Sequence, residues 1–192
     1  APIIERIDPY MTWRAKEGAP LVGGVYIRNM GEIQVGPWLR KGDGVKGALC
    51  YLDGDDDTDE HVVELPPGGS TAPERHLYTE CTYIISGRGS TSVWFDKGEK
   101  QTFEWGPGSY FVLPTNAWCQ FFNASLSQPA RWFSVTDLPG LMRQWVNKDF
   151  IFNNPFEFHD RYAGKPDYFS AEAKLWRGRV WETNFIPDIR KL

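Results

Sequence analysis

Glu74, His76, Tyr78 and Glu80 follow one another at two-residue spacing. Side chains of an extended strand alternate between faces, so these four and Thr82 project to one side, while Arg75, Leu77 and Thr79 project to the other. Two carboxylates and an imidazole crowded on one enclosed face shift each other's pKa values and can then serve as acid and base. The structural alternative is a hydrogen-bonded polar row with no chemical role. A second short run, Asn116 to Asn123, carries Cys119, whose plain reading is a small buried apolar residue.

These residues need elements to hold them, and the chain reads as mostly β. Ile33 to Leu39, Gly47 to Leu52 and His61 to Leu65 are short β-rich runs between Gly- and Asp-rich turns. The pattern continues through Cys81 to Ile85, Ser90 to Phe95, Lys100 to Glu104, Ser109 to Leu113, Cys119 to Asn123 and Arg131 to Val135, the spacing of an antiparallel sandwich or barrel. Residues 1–31 read as an irregular arm with one strand at Leu21 to Ile27, and residues 32–136 as the barrel. In residues 137–192, Asp137-Leu138-Pro139 offers a cap and an early proline, and Leu141, Met142, Trp145 and Val146 recur at helical spacing. The aromatic tail beyond Phe150 has a second helix expected at Ser170 to Trp176 and a strand at Arg179 to Phe185, and it must pack on the barrel or on a partner.

The segment from Gly68 to Gly87 resembles the first motif of the cupin superfamily: glycine, five residues, His-x-His, a short spacer, glutamate, six residues, glycine. Those positions fall on Glu74, His76, Glu80 and Gly87, with Glu74 in place of the first histidine. The segment from Gly108 resembles the second motif and puts Pro114, Asn116, Cys119 and Asn123 where that family has proline, glycine, histidine and asparagine. The two segments and the 20 residues between them cover about a third of the chain. The resemblance implies an all-β cupin fold, a double-stranded β-helix or jelly-roll barrel, here with an N-terminal arm and short C-terminal helices.

The resemblance also implies a site inside the barrel, where the family's three histidines and glutamate converge on one transition-metal ion. This chain would offer Glu74, His76, Glu80 and Cys119, a mixed oxygen, nitrogen and sulfur set that favours Fe or Zn over the harder Mn. The other reading is a barrel without metal in which Glu74, His76, Tyr78 and Glu80 act as the catalytic or polar row. Tyr78, Arg88 and Gln120 are the expected substrate contacts. The implied function is a cupin enzyme, a dioxygenase or lyase, acting on a small organic acid or aromatic compound. Its alternative is a non-catalytic cupin that binds a ligand or serves as the small subunit of a heteromeric cupin dioxygenase. A homodimer or a hetero-oligomer with another cupin subunit is the implied assembly.

The remaining signals are weaker. With 21 basic and 25 acidic residues and no basic block, nothing points to nucleic acid or an anionic membrane. No apolar run approaches a membrane span of about 18 residues, and the opening Ala-Pro-Ile-Ile-Glu-Arg lacks the order of a signal peptide, so the expectation is a cytoplasmic protein. Cys50, Cys81 and Cys119 suit reduced thiols better than a disulfide framework. Asn123-Ala124-Ser125 is a formal glycosylation sequon of no expected consequence. Asp53 to Glu60 is an acidic hairpin tip, since the sixth position of a calcium loop, a glycine, is Thr58 here. His61 beside it is expected at the surface, and His159 is expected to pair with a nearby acid in the tail. The many aromatics, nine Trp, eight Tyr and twelve Phe, make an apolar or aromatic ligand somewhat favoured over a purely polar one.

Overall fold

A computed structural model describes residues 7–53, 57–178 and 180–192. In chain order the elements are α1 (Pro9–Lys16), β1 (Leu21–Gly24), β2 (Gly36–Pro37), β3 (Lys46–Leu52), β4 (Asp59–Leu65), β5 (Glu80–Ser86), β6 (Gly89–Trp94), β7 (Gln101–Trp105), β8 (Tyr110–Val112), β9 (Trp118–Asn123) and β10 (Ala130–Thr136). The C-terminal part adds α2 (Leu138–Trp145), α3 (Lys148–Phe152), β11 (Lys174–Trp176), β12 (Val180–Glu182) and β13 (Phe185–Ile186). The larger sheet runs β1-β3-β4-β10-β5-β8-β13, with β2 paired to β3. The smaller runs β7-β6-β9, and bridges from Ser70 to Phe122 and from Glu74 to Cys119 lay the first motif segment along its free β9 edge.

The two sheets face each other across an aromatic and aliphatic core. Phe121 of β9 stacks on Trp132 of β10 with ring centroids 4.6 Å apart, and Trp105, Ile84, Leu65 and Val93 are buried around them. Strand alternation produces this layer: in β10 Ala130, Trp132, Ser134 and Thr136 are buried and the residues between them are not. Gly87 has φ of +86° after β5, and a Cβ there would sit 2.6 Å from Ala130, so the turn closes only on glycine.

The expected barrel strands from β3 to β10 are all present, with ends shifted by a residue or two. The flanks differ more. Residues 33–39 contribute only the two-residue β2 and a 3-10 turn at Leu39–Lys41. The arm holds a helix, α1, where no helix is expected: Asp8 accepts from the N–H of Tyr10 and Met11, and Pro9 opens the first turn. The helix expected at Ser170 to Trp176 is instead a turn leading into β11, which pairs with β12. The opening residues 1–6, residues 54–56 of the acidic tip and Arg179 lie outside the described residues. Arm and tail are stitched into the larger sheet, since β1 runs parallel to β3 and β13 pairs with β8. Among the described residues no helix is long and apolar enough to cross a membrane.

Candidate functional site

Three neighbouring strands line up two inward rows. Thr136 of β10 lies between Asp59 of β4 and Glu80 of β5, and Ser134 lies between His61 and Thr82 in the same register. The second row is closed by a hydrogen bond of 3.0 Å between Thr82 and Ser134. In the first, Asp59 accepts from Thr136 and, at 2.7 Å, from the hydroxyl of Tyr10 on α1. Opposite these rows runs the first motif segment, held from outside the barrel. The carbonyl of His76 accepts from Asn116 N–H, the N–H of Leu77 donates to Ile151 of α3, and the N–H of Thr79 donates to the Asp137 carboxylate.

At the centre lies Glu80, almost wholly buried, between two imidazoles. His76 Nε2 is 3.1 Å from Oε2 and His61 Nε2 is 3.4 Å from Oε1. Neither contact has hydrogen-bond geometry, and His61 Nε2, His76 Nε2 and Glu80 Oε2 are all buried without a hydrogen-bond partner. His76 Nδ1 lies 2.9 Å from the carbonyl oxygen of Tyr78. A carbonyl only accepts, so Nδ1 carries the proton of that contact. The Tyr78 ring stacks on His76 at 3.6 Å and fixes its plane, while Trp38 meets His61 edge-on at 5.4 Å.

Around this centre the charges are sorted. Burial opposes ionisation of Glu80, but Lys41 and the two imidazoles override it and hold the carboxyl well below the usual carboxylate range. Glu74 has one carboxylate oxygen bonded to Lys41 Nζ and the other to Arg40 at 2.9 Å, and those two cations outweigh burial and lower its pKa too. Burial, reinforced by Glu74 and Glu80, raises both the Tyr78 phenol and the Cys119 thiol well above their ordinary values, so both stay protonated. Glu74 is also one of the residues lining a depression of about 430 Å³, together with Trp13, Arg40, Arg75, Trp118 and Phe152 among others.

This is the interior that the two motif segments imply, and comparison with known proteins agrees: residues 61–136 match the family described as Cupin domain. The chain carries a cupin domain. A stretch of 75 residues, 39% of the chain, is 36% identical to a 5-aminosalicylate 1,2-dioxygenase from Comamonas sp., of which it covers 18%. Among solved structures, an oxalate decarboxylase from Lactobacillus farciminis aligns with a TM-score of 0.47 at 18% identity, covering 57% of this chain and 32% of that one. Vicilin from Capsicum annuum aligns with a TM-score of 0.46 at 17% identity, covering 52% and 28%. The chain thus spans under a third of the length of each of these three proteins.

The cupin domain brings together only part of the expected set. His76, Tyr78 and Glu80 meet inside it, as does Cys119, whose backbone pairs with that of Glu74 at 2.8 and 3.0 Å. Glu74 is present but engaged by Lys41 and Arg40. Gln120 faces away and donates to the carbonyl of Thr71 at 2.9 Å. Arg88 is exposed in the turn after Ser86, at the opposite end of β5 from Glu80, a separation of about 20 Å along a seven-residue strand. His159 pairs with Glu157 at 3.0 Å, outside the barrel. The expectation for His61 fails outright: it is buried, because β4 begins at Asp59 and alternation from there turns residues 59, 61, 63 and 65 inward. Lys41 and Arg40, both part of the charge balance, sit on a short 3-10 turn whose sequence gives no sign of that role.

Whether these residues suit a transition-metal ion follows from their free valences. Glu74 has both oxygens bonded to cations and is not a free ligand, and Cys119 packs within the buried apolar cluster. His76 Nε2 and Glu80 Oε2 are buried, unpartnered and adjacent, and they fit. Among the described residues no group of three or more His, Cys, Asp or Glu side chains is arranged to hold a metal ion; the two imidazoles approach opposite oxygens of one carboxylate instead.

Proposed function

We propose that this cupin domain is the catalytic part of an enzyme that oxidises a small aromatic acid with dioxygen, with its reaction centre at His76, Tyr78 and Glu80. The observation that carries the reading is the imidazole of His76, oriented by the Tyr78 carbonyl, with its Nε2 3.1 Å from the buried carboxylate of Glu80 and outside hydrogen-bond geometry. Leaving a buried polar atom unpaired costs about 1–3 kcal/mol, which folding alone has no reason to retain. The local identity to a 5-aminosalicylate 1,2-dioxygenase supports the substrate class and the chemistry. The rings of Trp13, Trp118 and Phe152, which line one surface depression, also suit an aromatic ligand.

His76 and Glu80 would hold a divalent ion, with Fe preferred over Zn because closed-shell Zn has no redox reactivity towards dioxygen. Bound there, the ion would supply a Lewis acid and, as Fe(II), electrons for dioxygen chemistry. The chain's own groups do the rest. Tyr78 keeps its proton and can donate a hydrogen bond to a developing oxyanion. Lys41 and Arg40 offset Glu74, so the negative charge that faces the centre is that of Glu80. The packed interior excludes bulk water.

The test is oxygen uptake and ring-cleavage absorbance with hydroxylated and aminated benzoates, on protein reconstituted anaerobically with Fe(II). Turnover that disappears in H76A supports the reading, whereas uptake no faster than buffer with Fe(II) alone rejects it. One observation favours a second reading, a non-catalytic subunit that assembles with another cupin chain: at one motif position Glu74 has both carboxylate oxygens bonded to cations. Isolation from the native source discriminates, since a stoichiometric second cupin chain supports the subunit reading, and a single chain with turnover removes it.

A further inference from the structure

Where α1, α2 and α3 meet, large apolar side chains remain open to water: Ile7 is 79% exposed, Val146 69%, Trp145 49% and Phe150 38%. They lie together. The Trp145 and Phe150 rings are 4.9 Å apart, Ile7 and Val146 border one hollow of about 380 Å³ with Asp8, Pro9 and Arg143, and the ion pair of Asp8 with Arg143 at 2.8 Å ties the start of α1 to α2. The exposed fractions amount to roughly 450 Å² of apolar surface, the size of patch that on a monomer is commonly functional. Val146 is strained as well. It caps α2 in the left-handed region, with φ of 52° and ψ of 24°, where glycine or asparagine is usual and a β-branched residue is an outlier. An isolated chain gains nothing from an exposed valine at that angle. On the wall of the hollow, Arg143 Nη1 is buried without a hydrogen-bond partner.

We propose that this patch is the interface of a homodimer in which α1, α2 and α3 of one copy meet the same elements of a second copy about a twofold axis. Area, charge and shape each point to that occupant. A standard interface buries about 800 Å² on each side, somewhat over half of it apolar, and the patch supplies that apolar share. The chain carries a net charge of -4, yet the charged residues of segments 7–11 and 143–150 are Asp8, Arg143, Lys148 and Asp149, which cancel. A neutral surface meets its own copy without like-charge repulsion, and it offers no complement to a partner of one sign. The same patch holds a half-exposed indole, Trp145, and a hollow beside it. Trp145 of each copy therefore enters the hollow of the other, the reciprocal contact that a twofold requires.

Sedimentation equilibrium of the full chain between about 1 and 100 μM, the weak end of affinities for an interface of this size, tests it. Wild type is expected to sediment at twice the 22.0 kDa of one chain. W145E and V146N should each weaken dimerisation at least tenfold, and L126S, at an equally exposed residue in the loop between β9 and β10, should leave it unchanged. Asparagine suits the left-handed angle at position 146, so V146N keeps the fold, which near-ultraviolet dichroism verifies. A mixture of copies carrying W145C and copies carrying I7C should form a disulfide between copies, well above a mixture of L126C and I7C. A single mass near 22.0 kDa at every concentration overturns the proposal. So does a dimer that both variants leave intact, or one that does not cross-link between positions 145 and 7, since the contact then lies on another face.

Discussion

Glu80 shows how much the surroundings of one side chain decide. In the unfolded chain it titrates near the usual value of about 4.3, and in the fold it stays ionised to well below that. Folding therefore gains stability from this group above about pH 4.3, and loses it as pH falls through the lower folded value. In metal-free protein at pH 7, E80Q should be less stable than wild type by about 3 kcal/mol, the scale for breaking a buried ion pair. Urea melts from pH 7 down to pH 3 should show this gap closing; a gap that stays constant would mean that the carboxylate charge is not the cause. That His76, Tyr78, Glu80 and Thr82 are all buried was legible in their spacing, although β5 begins only at Glu80 and residues 75–79 bend without forming the expected strand. The roles of His61 and Glu74 were not. They depend on partners 19 and 33 residues away, Glu80 for one and Lys41 for the other, and no local pattern encodes those contacts.

Among the elements, the turn between β8 and β9, inside the second motif segment, has an altered letter with a structural reason. Asn116 stands where the second motif has glycine, and its φ is +58°, a region open to glycine and tolerated by asparagine. Its side chain then does what glycine cannot, donating to the carbonyls of Asn154 and Phe156 at 2.9 and 2.6 Å and so tying the tail to the barrel. N116A should lose about 2–3 kcal/mol from strain plus two hydrogen bonds, and N116G about 1–2 kcal/mol from the bonds alone. Denaturant melts measure both, and equal losses would mean that the backbone angle contributes nothing. The strands were readable because period-two burial is written in each of them. Helix α1 also had its signal, Asp8 before Pro9, but its buried side chains Tyr10, Trp13 and Arg14 make no strong amphipathic stripe without the barrel they pack on. The run Ser170 to Trp176 misled in the opposite sense, because pairing of β11 with β12 outweighs helix propensity in so short a segment.

The molecule as a whole depends on its tail. Phe169 stacks on Phe103 at 4.0 Å, Phe185 packs on Phe111, and Ile151 and Tyr162 are almost fully buried. Burial of these four side chains is worth roughly 6–12 kcal/mol, comparable with the net stability of a domain, about 5–15 kcal/mol. A chain ending at Val146 should therefore lack a cooperative melt and near-ultraviolet dichroism, and one that kept both would show the tail to be dispensable. Composition, motif spacing and strand alternation were enough to establish an all-β fold and the inward face of β5, because each follows from the backbone's two-residue period. Which of those polar groups remain free was decided only when the fold brought Lys41 and Arg40 to Glu74, an apolar wall to Cys119, and His61 across β10 to Glu80. Such pairings arise between residues distant in the chain, and their energies exist only once water has been excluded from between them.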